Sequence, residues 1–210
     1  AGTAISGATS STYTLVQADV GSTITVTASY TDGQNTAESE TSSATGSVAN
    51  VNDDPTGSVA ISGTAAEDQA LSITNTLADE DGLGSFSYQW NRAGTAISGA
   101  TSATYTLTQD DVGSTITVVV SYTDGQNTAE SSTSAATGSV ANVNDDPTGS
   151  VAISGTAAED QALSITNTLA DEDGLGSFSY QWNRAGTAIS GATSATYTLT
   201  QDDVGSTITV

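Results

Sequence analysis

The chain of 210 residues contains no Cys, Met, His or Lys, and its only basic side chains are Arg92 and Arg184. Each absence removes a class of chemistry. Without Cys or His there is no Ser-His-Asp triad, no Cys-His nucleophile, no thiolate or imidazole zinc site, no haem ligation and no disulfide. Two arginines within a net charge of −22 cannot follow a phosphate backbone, so nucleic acid is excluded as a partner. Proline is almost missing, with only Pro55 and Pro147. No apolar run approaches the roughly 20 residues of a spanning helix, so membrane insertion is not expected, and no signal peptide is visible. Metal binding through oxygen, carboxylate chemistry, weak sugar or protein binding, and a mechanical role remain.

What is present is acid: 24 Asp and Glu. High net charge at low hydrophobicity is the composition of disorder. Here, however, the charges are clustered and the apolar residues between them alternate, which is the pattern of a folded chain.

The sequence repeats with a period of 92 residues. Pro55 returns as Pro147 and Trp90 as Trp182, and residues 52–118 and 144–210 are identical. Residues 1–51 match the segment from Ala93 with a few changes, such as Ala18 for Asp110 and Thr27 for Val119. The expected organisation is the C-terminal part of one repeat (1–51), a complete repeat (52–143) and the N-terminal part of a third (144–210). The expectation is a window on a longer array. This period is too long for a solenoid unit and suits a small domain.

Within one repeat, period-2 alternation dominates. Val59 and Ile61 mark a first strand, and Leu71, Ile73 and Leu77 a second. Phe86, Tyr88 and Trp90 mark a third, Ile97 a short fourth, and Tyr105 and Leu107 a fifth. Ile116, Val118, Val120 and Tyr122 mark the sixth and strongest. Thr128 to Val140 reads as a weak seventh at an edge. Gly-rich turns punctuate these at DEDGLG (79–84), RAG (92–94), DDVG (110–113) and TDGQ (123–126). Seven short strands around one Trp predict an all-β chain of tandem β-sandwiches.

Several motifs carry a resemblance. YQWNRAG at 88–94 resembles the third strand of an immunoglobulin-type domain, and DDVGSTITV at 110–118 its corner into the sixth strand. With the linker VNDDP at 51–55 and 143–147, the chain is most similar to bacterial immunoglobulin-like, cadherin-like tandem repeats of giant surface adhesins, of the RTX and biofilm-associated types. The resemblance implies about seven strands per repeat, repeats joined end to end, and an extracellular, cell-surface location.

In such a trace the turns sort between two poles. The linker, Asp79, Asp81 and Asp124 share the top. Glu67, Asp68, Asp110 and Asp111 share the bottom. End-to-end stacking would bring Glu67, Asp68, Asp110 and Asp111 to the linker residues Asn144, Asp145 and Asp146 and to Asp171, Glu172 and Asp173. The first junction offers Asp19, Asn52, Asp53, Asp54, Asp79 and Asp81, with Ala18 in place of the first corner acid. Like charges 4 Å apart repel by about 1–4 kcal/mol, depending on screening. Many oxygen ligands, with no nitrogen or sulfur donor available, suit Ca²⁺ rather than Zn²⁺ or copper. Cadherins, which this arrangement resembles, place calcium between domains; their first-turn Glu is matched by Glu67 and their D-x-D turn by Asp171-Glu172-Asp173. The plainer alternative is that these acids are ordinary turn residues.

The functional expectation is a non-enzymatic extender, or stalk, stiffened by Ca²⁺ between neighbouring repeats of the same chain. Two alternatives stand beside it. One is a filament whose copies associate laterally. The other is a carbohydrate- or partner-binding module acting by avidity. Trp90 and Trp182 are expected in the core, and Arg92 and Arg184 on a turn carboxylate. Asp79 with Asp81, or Asp110 with Asp111, as a glycosidase pair has no aromatic cleft beside it.

Overall fold

A computed structural model describes residues 2–210, and the fold is all-β with several small antiparallel sheets, consistent with β-sandwich architecture. The chain divides into two compact units. One comprises the chain up to Leu107 with Gly113–Val140, the other Thr108–Val112 with Ala141–Val210. Among the described residues no helix is long and apolar enough to cross a membrane.

Among the described residues, the first unit holds nine strands. β1 (Thr27–Thr31) and β2 (Ala37–Thr41) form a hairpin in the N-terminal partial repeat. The middle repeat contributes β3 (Val59–Ser62), β4 (Ala70–Asn75), β5 (Ser87–Arg92), β6 (Thr95–Ala96), β7 (Thr104–Thr106), β8 (Ile116–Thr123) and β9 (Ala129–Thr133). They build a three-stranded sheet, β3-β4-β7, and a four-stranded sheet, β6-β5-β8-β9. β3 lies against β8, so the two sheets share a core.

β8 shows why alternation specifies position. Ile116, Val118, Val120 and Tyr122 are buried on one face, with Thr117, Val119 and Ser121 half-buried on the other. Trp90 is fully buried and its indole N–H donates to the Ser102 carbonyl at 2.9 Å. Tyr105 lies 5.8 Å from the Trp90 ring, and Phe86 meets Tyr122 edge-on at 5.7 Å. Gly57, at φ +86°, crosses so close to Thr76 that a Cβ would overlap the Thr76 carbonyl.

Several strand bounds differ from expectation: Phe86 lies just before β5, Ile97 just after β6 and Leu107 just after β7. Leu77 lies beyond the end of β4, beside the Thr56–Ala78 bridge, yet is buried. The seventh strand spans only Ala129–Thr133, because hydroxyl groups then enter the ladder. Val118 N–H donates to Ser134 Oγ and Ile116 N–H to Thr137 Oγ1, both at 3.0 Å. The Ser/Thr richness that made this strand look weak supplies those acceptors.

The second unit holds β10 (Val151–Ser154), β11 (Ala162–Asn167), β12 (Asn183–Arg184), β13 (Thr187–Ala188), β14 (Thr196–Thr198) and β15 (Ile208–Thr209). Its sheets are β10-β11-β14 and β13-β12-β15. Leu163, Trp182 and Leu199 form its core, with Ile165, Ile189, Tyr197 and Ile208 packed against them.

Candidate functional site at the repeat poles

The top of the middle repeat is built from two acidic loops. In the first, Asp81 N–H donates to Asp79 Oδ1 at 2.8 Å, closing a tight turn. In the second, Asp124 Oδ1 accepts from Gln126 N–H at 2.9 Å and Thr128 N–H at 2.6 Å. Gly125 N–H donates to the Asp81 carbonyl at 3.0 Å and ties the loops together. Asp79 Oδ2 accepts from the Tyr122 hydroxyl at 2.6 Å. Burial, then that bond to Asp79, raises the Tyr122 pKa far above its ordinary value. Asp124 is buried, and its Oδ2 accepts no hydrogen bond from the protein.

The linker and the preceding partial repeat converge on Asp81. Its Oδ2 accepts Asp53 N–H and its Oδ1 accepts Gln17 Nε2–H, each at 2.8 Å. Asn52 does not join them: its amide donates to Glu130 Oε1 at 3.0 Å. Asp54 is exposed. The second linker repeats the main contact. Asp145 N–H donates to Asp173 Oδ2 and Asp173 N–H to Asp171 Oδ1, both at 3.0 Å. Asn144 donates its amide to the Asp145 carbonyl at 3.1 Å, and Asp146 is exposed.

The corner acids have a local role that the sequence reading did not foresee. Asp19, Asp111 and Asp203 each occupy the third position of a one-turn 3-10 helix and reach back to its start. Asp203 Oδ2 accepts from Thr200 N–H (2.8 Å), the Thr200 hydroxyl (3.0 Å) and the Tyr197 hydroxyl (2.9 Å). Its Oδ1 pairs with Arg184 Nε at 2.6 Å. Burial pushes the Asp203 carboxyl up. The Arg184, Thr200 and Tyr197 donors together outweigh it and hold the group far below the usual carboxylate range. Asp19 accepts from the Tyr13 hydroxyl and Val16 N–H, and Asp111 from Thr108 N–H and the Thr108 hydroxyl. A Tyr six residues before the Asp, in all three copies, is the signal that reveals this cap in sequence. The preceding position, Asp110 or Asp202, is exposed, as is Ala18 in the first copy.

At the other end of the middle repeat, Glu67 is buried and Asp68 is exposed at φ +60°. Asp68 N–H donates to the Leu107 carbonyl at 3.1 Å. The corner bearing Asp110 and Asp111 belongs to the second unit, with the linker Asn144–Asp146 and the turn Asp171–Asp173. Within either unit taken alone, no three carboxylates among the described residues converge closely enough to share one ion. The donor set is nonetheless all oxygen, the chemistry that hard divalent cations take.

No family model, curated protein or solved structure matches the chain.

Proposed function

We propose that the chain is a non-enzymatic extender segment of a large extracellular bacterial adhesin or matrix protein, made of immunoglobulin-like, cadherin-like sandwiches joined end to end. The observation that carries this reading is the linker contact made twice. Asp53 N–H binds Asp81, and Asp145 N–H binds Asp173, with the same donor, acceptor and loop. A flexible tether does not need its backbone fixed to the following turn. A spacer that keeps its length does.

Calcium fits the oxygen-only donor set. The candidate ligands are Asp53, Asp54, Asp79 and Asp81 of the first unit and Asp110, Asp145, Asp146, Asp171 and Asp173 of the second, and an ion would have to draw them together, since within neither unit do three of them converge on one point. The ion would supply positive charge where these acids otherwise repel. The experiment is a thermal melt of the chain with Ca²⁺ and with chelator, alongside small-angle scattering for its length. Calcium is expected to raise the melting temperature and hold the length constant. An unchanged melt and an unchanged length in chelator would refute the calcium-stiffened extender.

A further inference from the structure

The chain that follows β9 leaves the register of its own hairpin twice. β8 and β9 pair without interruption from Thr123↔Ala129 to Val119↔Thr133, and Ser134 continues that register opposite Val118. A regular ladder would next set Ala136 against Ile116 and Gly138 against Ser114. Instead Thr137 N–H donates to the Ile116 carbonyl and Val140 N–H to the Ser114 carbonyl, both at 2.9 Å. Six residue steps, from Ser134 to Val140, therefore cover four steps of β8, from Val118 to Ser114. The excess is two residues, one at each of two bulges.

A hydroxyl holds this slack in place. Thr137 Oγ1 accepts Ile116 N–H at 3.0 Å and donates to the Gly138 carbonyl at 2.7 Å, so the bulge leaves neither group unpaired. The N-terminal partial repeat does the same. Thr27 faces Thr41, yet Thr45 and Val48, rather than Ala44 and Gly46, meet Ile24 and Ser22. Thr45 Oγ1 accepts Ile24 N–H and donates to the Gly46 carbonyl.

The bypassed residues suit the regular ladder. Ile116 and Val118 face the core, and residues directly opposite them face it too. Ala136 and Gly138, exposed while the bulges persist, are small enough to sit there. Flattening both bulges gives Ile116 N–H the Ala136 carbonyl in place of the Thr137 hydroxyl. It also draws Val140, 2% exposed, out of its seat. β8 keeps its pairing with β5 and β9 throughout, so the Trp90 core stays closed.

We infer that residues 134–140 are a strap with two registers, short and bulged at rest, long and regular under tension. The change releases two residues of chain, about 7 Å at a strand's rise per residue. Val140 leads directly into the linker, so a pull along the array falls on this strap before it reaches the core. Each repeat then lengthens by a fixed step before its sandwich yields. That use under load rests on the end-to-end reading above, whereas the second register does not.

Relaxation-dispersion NMR of the whole chain tests the register without tension or calcium. Exchange is expected at the Ile116, Thr137 and Val140 amides and not at Trp90. Thr137→Val removes the hydroxyl and is expected to move the strap into the long register, with Ile116 N–H still protected and now beside Ala136. Amides of the strap that exchange only together with Trp90, an Ile116 amide left unprotected in Thr137→Val, or a strap that stays bulged in that variant would each overturn the inference. Magnetic tweezers, with handles coupled through azido side chains placed at positions 52 and 143, read the mechanical step. A reversible lengthening of about 7 Å is expected before unfolding. Oxidised Ser114→Cys with Val140→Cys fixes the short register and is expected to abolish that step. Unfolding with no earlier step, or a step that survives the disulfide, would overturn the strap's role under load.

Discussion

Residues 52–118 and 144–210 are the same sequence in two settings, and they do not reach the same structure. Trp90 and Trp182 are both fully buried, and each indole donates to a carbonyl twelve residues on. Leu71 and Leu163, and Leu107 and Leu199, are buried in both. This half of the core forms from local sequence alone. The other half does not. Val151, Ile153 and Phe178 lie open because no counterpart of β9 or of most of β8 covers them. One repeat therefore contains a self-sufficient Trp nucleus and a second layer that depends on the last two strands.

The strongest way to break that comparison is to remove its cause. Appending a copy of residues 119–143 after Val210 is expected to bury Val151, Ile153 and Phe178. At about 1.5–3 kcal/mol for each side chain, the gain is on the order of 5 kcal/mol. Chemical denaturation should then show two units unfolding at similar midpoints, and β12 should gain hydrogen-exchange protection.

The comparison sharpens with single substitutions. Val120→Ala should cost the middle repeat about 2 kcal/mol in transfer and cavity terms, read as a lower denaturation midpoint. Ala28→Val, at the matching exposed position, should leave the monomer within about 0.5 kcal/mol.

Asp203→Asn should cost about 1–2 kcal/mol at neutral pH through lost charged hydrogen bonds, a modest figure because Arg184 is partly exposed. The folded-state pKa of Asp203 is depressed, so its contribution is complete above the ordinary carboxylate pKa of about 4 and is lost as pH falls below it. The Asn variant should lack that acid-side loss in a pH series of denaturation midpoints.

A smaller effect is that of Tyr122→Phe, about 1 kcal/mol for the hydroxyl bond to Asp79. Tyr30→Phe, whose hydroxyl lies on the exposed hairpin, should change the monomer's melt by nothing measurable.

The same contrast explains how much could be read in advance. Ile116 to Tyr122 was legible because one buried face forces a period of two. The position of Trp90 was legible because a Trp flanked by alternation has few places to go. The end of β9 was not, since Ser134 and Thr137 act through hydroxyl acceptors that alternation does not encode. At the site, the sorting of Asp53, Asp79, Asp81 and Asp124 to one pole followed from turn order. Their partners did not: Gln17 and Asp81 are 64 residues apart, and Arg184 and Asp203 are 19 apart. Asp19 and Asp111 looked like free ligands because a local cap and an open carboxylate share one composition.

The placement of β8 and β9 at the end of the repeat also sets an order of events during synthesis. A repeat emerging from the ribosome makes its Trp nucleus first and stays open until about 25 further residues have followed. At about 5–20 residues per second, that interval lasts seconds. The preceding copy has by then closed over its own hairpin, so the open face meets a neighbour with nothing left to lend. Vectorial production keeps sequence-identical neighbours out of one another, a protection that refolding the whole chain from denaturant does not provide.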